Sequence, residues 1–162
     1  MIPLTIISGY LGSGKTTLIN QLLREAKQPI GVLVNDFGEL SIDKELIDNE
    51  DSLTLSLNNG CVCCKLNDDL GVSLEQMKAL NVEAVVIEAS GVAIPVKIAN
   101  YGLSWPGFSL LGILSLVKGK DLKNLLSDKF VSKTVKAQIV QADRVLLNRF
   151  NQQDREMILE LT

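Results

Sequence analysis

Short apolar runs alternate with amphipathic stretches along this chain. Ile2–Ser8, Ile30–Asn35, Ala84–Glu88, Ser109–Val117 and Arg144–Asn148 have strand length and are rich in Val, Ile and Leu, a pattern that predicts buried strands. Leu53–Leu57 predicts a further, weaker strand. Between them, Lys15–Ala26, Leu66–Leu80, Asp121–Leu126 and Thr134–Gln141 carry a helical period, and Gln152–Leu161 begins another helix. Repeated strand–helix alternation demands right-handed crossovers. The expected fold is therefore α/β, a mostly parallel sheet with helices on both faces in three layers. No internal repeat, low-complexity tract or linker divides the chain, so residues 1–162 read as one domain. A fold of this type usually continues into a further strand after such a helix, which makes the domain C-terminally incomplete on this reading.

Composition narrows the class. Hydrophobic residues at 46% and charged residues at 22% exclude a disordered chain. A formal net charge of −3, from 16 basic and 19 acidic residues, offers no surplus for binding nucleic acid. Met1 leads into the apolar Ile2–Ile7 without the basic flank of a signal peptide. The apolar stretch Leu110–Val117 is broken by Gly112 and Ser115, so no run predicts a membrane span. These features read as cytoplasmic. Three cysteines, Cys61, Cys63 and Cys64, are too crowded for a disulfide framework and suit a reducing compartment. Histidine is absent, which removes the commonest metal ligand and the commonest general base.

The strongest chemical signal is Gly9-Tyr10-Leu11-Gly12-Ser13-Gly14-Lys15-Thr16. It fits the phosphate-loop pattern G-x-x-x-x-G-K-[ST], and it lies between a predicted strand and a predicted helix, the context that pattern requires. Backbone amides around Gly12, Ser13 and Gly14 can approach phosphate oxygens, and the helix start adds open N–H groups. Lys15 would bridge the β- and γ-phosphates, the Thr16 hydroxyl would ligate Mg²⁺, and Thr17 would assist at an inner phosphate. The competing reading is an ordinary glycine-rich turn.

Three further segments follow in order: Asn35-Asp36-Phe37-Gly38-Glu39 with Ile42-Asp43, then Asn58-Asn59-Gly60-Cys61-Val62-Cys63-Cys64, then Glu88-Ala89-Ser90-Gly91-Val92-Ala93-Ile94-Pro95. With the phosphate loop, this order resembles the nucleotide-binding domain of the CobW-like GTPases, relatives of UreG and HypB, from Ile2 to about Asn151. The resemblance implies a P-loop NTPase fold, binding of GTP or GDP with Mg²⁺, slow hydrolysis, and delivery of zinc or cobalt to a client protein. It also leaves a homodimer across the nucleotide face open, and it implies a C-terminal domain that this chain lacks.

On that basis the cysteines are candidate ligands for a soft metal ion, with Glu39 as an oxygen ligand. The bland alternatives are small buried hydrophobes for the cysteines and a solvated loop carboxylate for Glu39. Glu88 ends a buried strand at the carboxyl edge of the sheet, where ligands of open α/β folds bind. It would hold Mg²⁺ through water and orient the attacking water; a turn cap is the alternative. The resemblance implies that the Gly91 amide faces the γ-phosphate. Asp43 is either a switch residue near Mg²⁺ or part of a surface turn.

Two departures stand out. Where relatives carry Asn-Lys-x-Asp to read guanine, this chain has Asn148-Arg149-Phe150-Asn151. Asn148 keeps its hydrogen-bonding capacity and Arg149 can pack over the base. Asn151 replaces a carboxylate that accepts two hydrogen bonds from guanine, and a neutral amide accepts from only one end. Where relatives have Val-Asp-Ala, this chain has Val117-Lys118-Gly119. The leading reading is thus a metal-linked GTPase. A metal-binding or protein-interaction module with a degenerate nucleotide site ranks second, and an ATPase or kinase with relaxed base choice ranks third.

Overall fold

The computed structural model describes residues 1–35, 54–57 and 62–162, with side chains described for 1–34 and 70–162. In chain order the elements are β1 (Ile2–Ser8), α1 (Lys15–Glu25), β2 (Ile30–Asn35), β3 (Thr54–Leu57), α2 (Val62–Ala79), β4 (Ala84–Glu88), α3 (Pro95–Ser104), β5 (Phe108–Lys118), α4 (Gly119–Ser127), α5 (Ser132–Val140), β6 (Arg144–Asn148) and α6 (Gln152–Leu161). The six strands form one sheet in the order β3-β2-β4-β1-β5-β6. Every pairing is parallel, so the expected mostly parallel sheet is parallel throughout among the described residues.

The period of two along each strand divides the core. Leu4, Ile6, Leu33, Val85, Ile87 and Ile113 face one side and pack with Leu70, Leu74 and Met77 of α2 and Ile98 and Ala99 of α3. Their neighbours Ile7, Val32, Val34, Val86 and Leu116 face the other side and meet Ile19 and Leu23 of α1. A third cluster joins Val117 of β5 to Leu122, Val135, Ile139 and Ile158 of α4, α5 and α6. Burying a Leu or Ile contributes about 1.5–3 kcal/mol each, so this two-sided pattern holds the three layers together.

Three differences from the sequence expectations have local causes. No helix is expected over Pro95–Ser104, where Pro95 and Gly102 would weaken a helix interior. Pro95 sits in the first turn instead, where a missing N–H costs nothing. Helix α2 begins at Val62 rather than Leu66. No Gly or Pro stands between Val62 and Leu70 to stop it, so Cys63 and Cys64 occupy its first turn instead of a loop. Strand β5 runs one residue further at each end than expected and shifts register at Gly112. Asp143 covers that irregularity, its Oδ2 accepting the Ile113 N–H at 2.7 Å.

The other half of α2 is fastened to the loop after α3. The Trp105 indole donates to Glu75 Oε1 at 2.8 Å, and Lys78 pairs with the same carboxylate at 2.9 Å. The Lys78 ammonium, with the indole N–H second, holds the Glu75 carboxyl below its usual value of 4.5.

Candidate functional site

Strands β1, β4 and β5 end together at the carboxyl edge of the sheet, with Ile7 opposite Glu88 and Ser8 opposite Ser115. Everything that leaves these strands therefore gathers at one edge. The loop Gly9–Gly14 leaves β1 there. Gly9 has φ 139°, and a Cβ on it would lie 2.3 Å from the Leu116 carbonyl oxygen and 2.7 Å from Ser13 Oγ. Only glycine lets the loop lie this close on β5. Gly14 precedes α1 with φ 102° and no side chain caps the helix, which leaves its first N–H groups for an anion.

Lys15, 8% exposed, donates from Nζ to the Gly9 carbonyl at 2.9 Å, so its ammonium lies folded over the loop. The Thr16 hydroxyl donates to Glu88 Oε1 at 3.0 Å. Glu88 is 5% exposed at the end of β4. A hydroxyl and a carboxylate at that separation form a hard oxygen pair of the kind Mg²⁺ takes alongside phosphate oxygens and water. The sequence signal thus brings together Gly12, Ser13, Gly14, Lys15, Thr16, Thr17 and Glu88 along one open groove of about 650 Å³.

Leu146, Leu147, Asn148 and Arg149 line the other end of that groove. Asn148 Nδ2 donates to the Ser13 carbonyl at 2.8 Å, which ties the end of β6 to the phosphate loop. Arg149 is exposed and held at φ 47°. Asn151 is engaged elsewhere. Its side chain accepts the Asp154 N–H at 3.0 Å, while Asp154 Oδ2 accepts the Asn151 N–H at 2.8 Å, a reciprocal cap on α6. Lys118, the other departure, forms an ion pair with Asp121 at 2.6 Å.

The chain leaving β4 makes a tight turn against the phosphate loop. Ala89 N–H donates to the Ile7 carbonyl at 2.8 Å and Ala93 N–H to the Ser90 carbonyl at 2.9 Å. Gly91 is buried, and a Cβ there would stand 2.9 Å from the Leu11 nitrogen. Gly91 therefore touches the phosphate loop. Gln138 of α5 also reaches this turn and was not anticipated. Its signal in the sequence was a glutamine on the helix face that buries Val135 and Ile139. Glu39, Asp43 and Cys61 lie outside the described residues. Cys63 and Cys64 are placed by backbone alone, in the first turn of α2. No helix among the described residues is long and apolar enough to cross a membrane.

The family model for the CobW/HypB/UreG nucleotide-binding domain matches residues 3–161. The zinc chaperone YjiA of Escherichia coli (strain K12) is 31% identical over 159 residues, covering 91% of this chain and 49% of that protein. The zinc-regulated GTPase metalloprotein activator 1 of Saccharomyces cerevisiae is 30% identical over 190 aligned residues, covering 99% of this chain and 44% of that protein. Zn(II)-bound YjiA GTPase from E. coli superposes with a TM-score of 0.68 at 24% identity, over 99% of this chain and 54% of that one. HypB from Helicobacter pylori in complex with nickel gives a TM-score of 0.67 at 13% identity, over 98% and 73%. At such identities these superpositions establish the P-loop NTPase fold. The chain spans about half or less of the length of these curated relatives. On the match over residues 3–161, the chain belongs to the CobW/HypB/UreG nucleotide-binding-domain family.

Proposed function

We propose that this domain binds GTP with Mg²⁺, hydrolyses it slowly, and links its nucleotide state to the transfer of zinc or cobalt to a client protein. The observation that carries this reading is the joining of Lys15, Thr16 and Glu88 at the phosphate end of one groove. In this reading the amides of Gly12, Ser13 and Gly14 cradle the phosphates. Lys15 leaves the Gly9 carbonyl for the β- and γ-phosphate oxygens, and Thr17 assists at an inner phosphate. Thr16 and Glu88 would hold Mg²⁺, which would supply charge neutralisation for phosphoryl transfer. Glu88 orients the attacking water and Gly91 offers its amide to the γ-phosphate. Asn148 and Arg149 border the base. No arginine finger is assigned within the chain in this reading, and slow turnover that a partner or metal accelerates is the expectation.

The metal ion is cargo in this reading, carried by Cys61, Cys63 and Cys64 with Glu39. The zinc-chaperone names of relatives support it, and so does thiolate chemistry. Trp105 is the only tryptophan of the chain and bonds to α2, the helix that begins beside these cysteines. Zinc titration should therefore change its fluorescence, and a Cys63→Ser, Cys64→Ser double variant should remove the change. Single-turnover GTP hydrolysis tests the enzymatic half. The expected course is slow, Mg²⁺-dependent release of phosphate; fast turnover without metal or partner would contradict it. A cytoplasmic location and pairing of two copies across the nucleotide face belong to the same proposal.

One observation favours a second reading, a metal-binding module with weakened nucleotide selectivity. Asn151 is engaged as a helix cap and offers guanine no carboxylate. Equal binding of GTP and ATP would favour that reading.

A further inference from the structure

Gln138 is 2% exposed, on the buried face of α5. A buried amide without partners costs several kcal/mol on transfer scales, so its hydrogen bonds indicate what fixes it there. Its Nε2 donates to two carbonyls of one turn, Gly91 at 3.0 Å and Ala93 at 3.0 Å, more than forty residues away in sequence. That turn follows Glu88 directly and rests on the phosphate loop at Leu11.

A trans peptide is planar, and its C=O and N–H point in opposite directions. With the Gly91 carbonyl held by Gln138, the Val92 N–H is turned away from α5. With the Ala93 carbonyl held as well, the turn is pinned on both sides of Val92. Its own bonds, Ala89 N–H to Ile7 and Ala93 N–H to Ser90, fix its entry and closure. The Ser90 carbonyl so held orients the Gly91 N–H, while the Gly91–Val92 and Ala93–Ile94 peptides are held by Gln138.

We infer that Gln138 is a positioning residue: by clamping the Gly91 and Ala93 carbonyls, it holds the turn after β4, and with it the Gly91 amide, in place for the terminal phosphate of a bound nucleoside triphosphate. This deepens the nucleotide-site reading above and rests on it. A donor aimed at the terminal phosphate contributes nothing to a diphosphate, so the inference predicts a selective effect.

The test compares two probes, GDP–Mg²⁺ and a β,γ-imido analogue of GTP with Mg²⁺, titrated calorimetrically into the wild-type chain and a Gln138→Leu variant. Leu keeps similar bulk and removes both donors. The expected result is a loss of about tenfold in affinity for the triphosphate analogue, the scale of one hydrogen bond to a charged group, with GDP affinity within about twofold. Equal losses for both probes, or no loss for either, would overturn the inference while leaving the nucleotide site intact. Failure of the wild type to bind either probe would overturn the nucleotide-site reading and this inference together. If the variant does not fold, the wild type supplies the readout through the side-chain amide protons of Gln138 in NMR spectra. They should exchange slowly and shift on adding the triphosphate analogue but not GDP; the same shift with both ligands would overturn the inference.

Discussion

The two ends of the groove are built differently although they share one loop. At the phosphate end, a run of eight consecutive residues supplies the cradle, and Glu88 arrives from a neighbouring strand to meet Thr16 at 3.0 Å. The polar groups there are held by bonds that an incoming phosphate can replace, such as Lys15 on the Gly9 carbonyl. At the base end, two asparagines are engaged with the protein itself. Asn148 holds the phosphate loop through Ser13, and Asn151 closes α6 with Asp154. On the proposed reading, the difference puts most of the nucleotide affinity in phosphate recognition and makes base recognition secondary.

The largest effect expected from this contrast is at Lys15. Replacing Lys15 with Ala removes charge-assisted bonds to phosphate and should weaken GTP–Mg²⁺ binding about a hundredfold by calorimetry, with helical content by circular dichroism unchanged. Next comes Gly9→Ala. Its Cβ would meet the Leu116 carbonyl and Ser13 Oγ at a φ that side chains rarely adopt. The expected cost is about 2–3 kcal/mol in denaturant unfolding. Asn151→Ala probes the base end. Loss of the helix cap should lower stability by about 1 kcal/mol while nucleotide affinity changes less than about twofold. A large loss of GTP affinity with unchanged stability would instead assign Asn151 to the base.

The smallest expected effect lies outside the groove, at Glu75. Its carboxyl is held below 4.5 in the folded chain by Lys78 first and by the Trp105 indole N–H second. A depressed folded value stabilises the fold above the unfolded value and loses that contribution as pH falls through the folded one. Glu75→Gln should therefore melt slightly below the wild type near neutral pH, and the two melting curves should converge as pH drops under about 4.5. The pair is exposed, so the gap should be small.

The same contrast governs what the sequence disclosed. The phosphate end was legible because its chemistry is local: glycines, lysine and threonine stand next to one another and the flanking strand and helix are strongly patterned. Glu88 was legible from its place at the end of an apolar strand. The base end was not, because the role of Asn151 depends on Asp154 three residues on, which can cap or leave the side chain free. Gln138 acts across more than forty residues, and only a buried glutamine among Val135 and Ile139 hinted at it. Helix α3 was hidden by Pro95, a residue that stops a helix from inside but starts one from its first turn.

The central claim is that this domain binds GTP through its phosphate end and that metal alters that binding. Calorimetric titration of GTP–Mg²⁺ into the purified chain, with and without equimolar Zn²⁺ and repeated with ATP–Mg²⁺, tests it most directly. The account predicts GTP binding whose affinity changes with zinc, and a preference over ATP of less than about a hundredfold, reflecting the lost charge-assisted pair at position 151. Zinc binding with no binding of either nucleotide would contradict it.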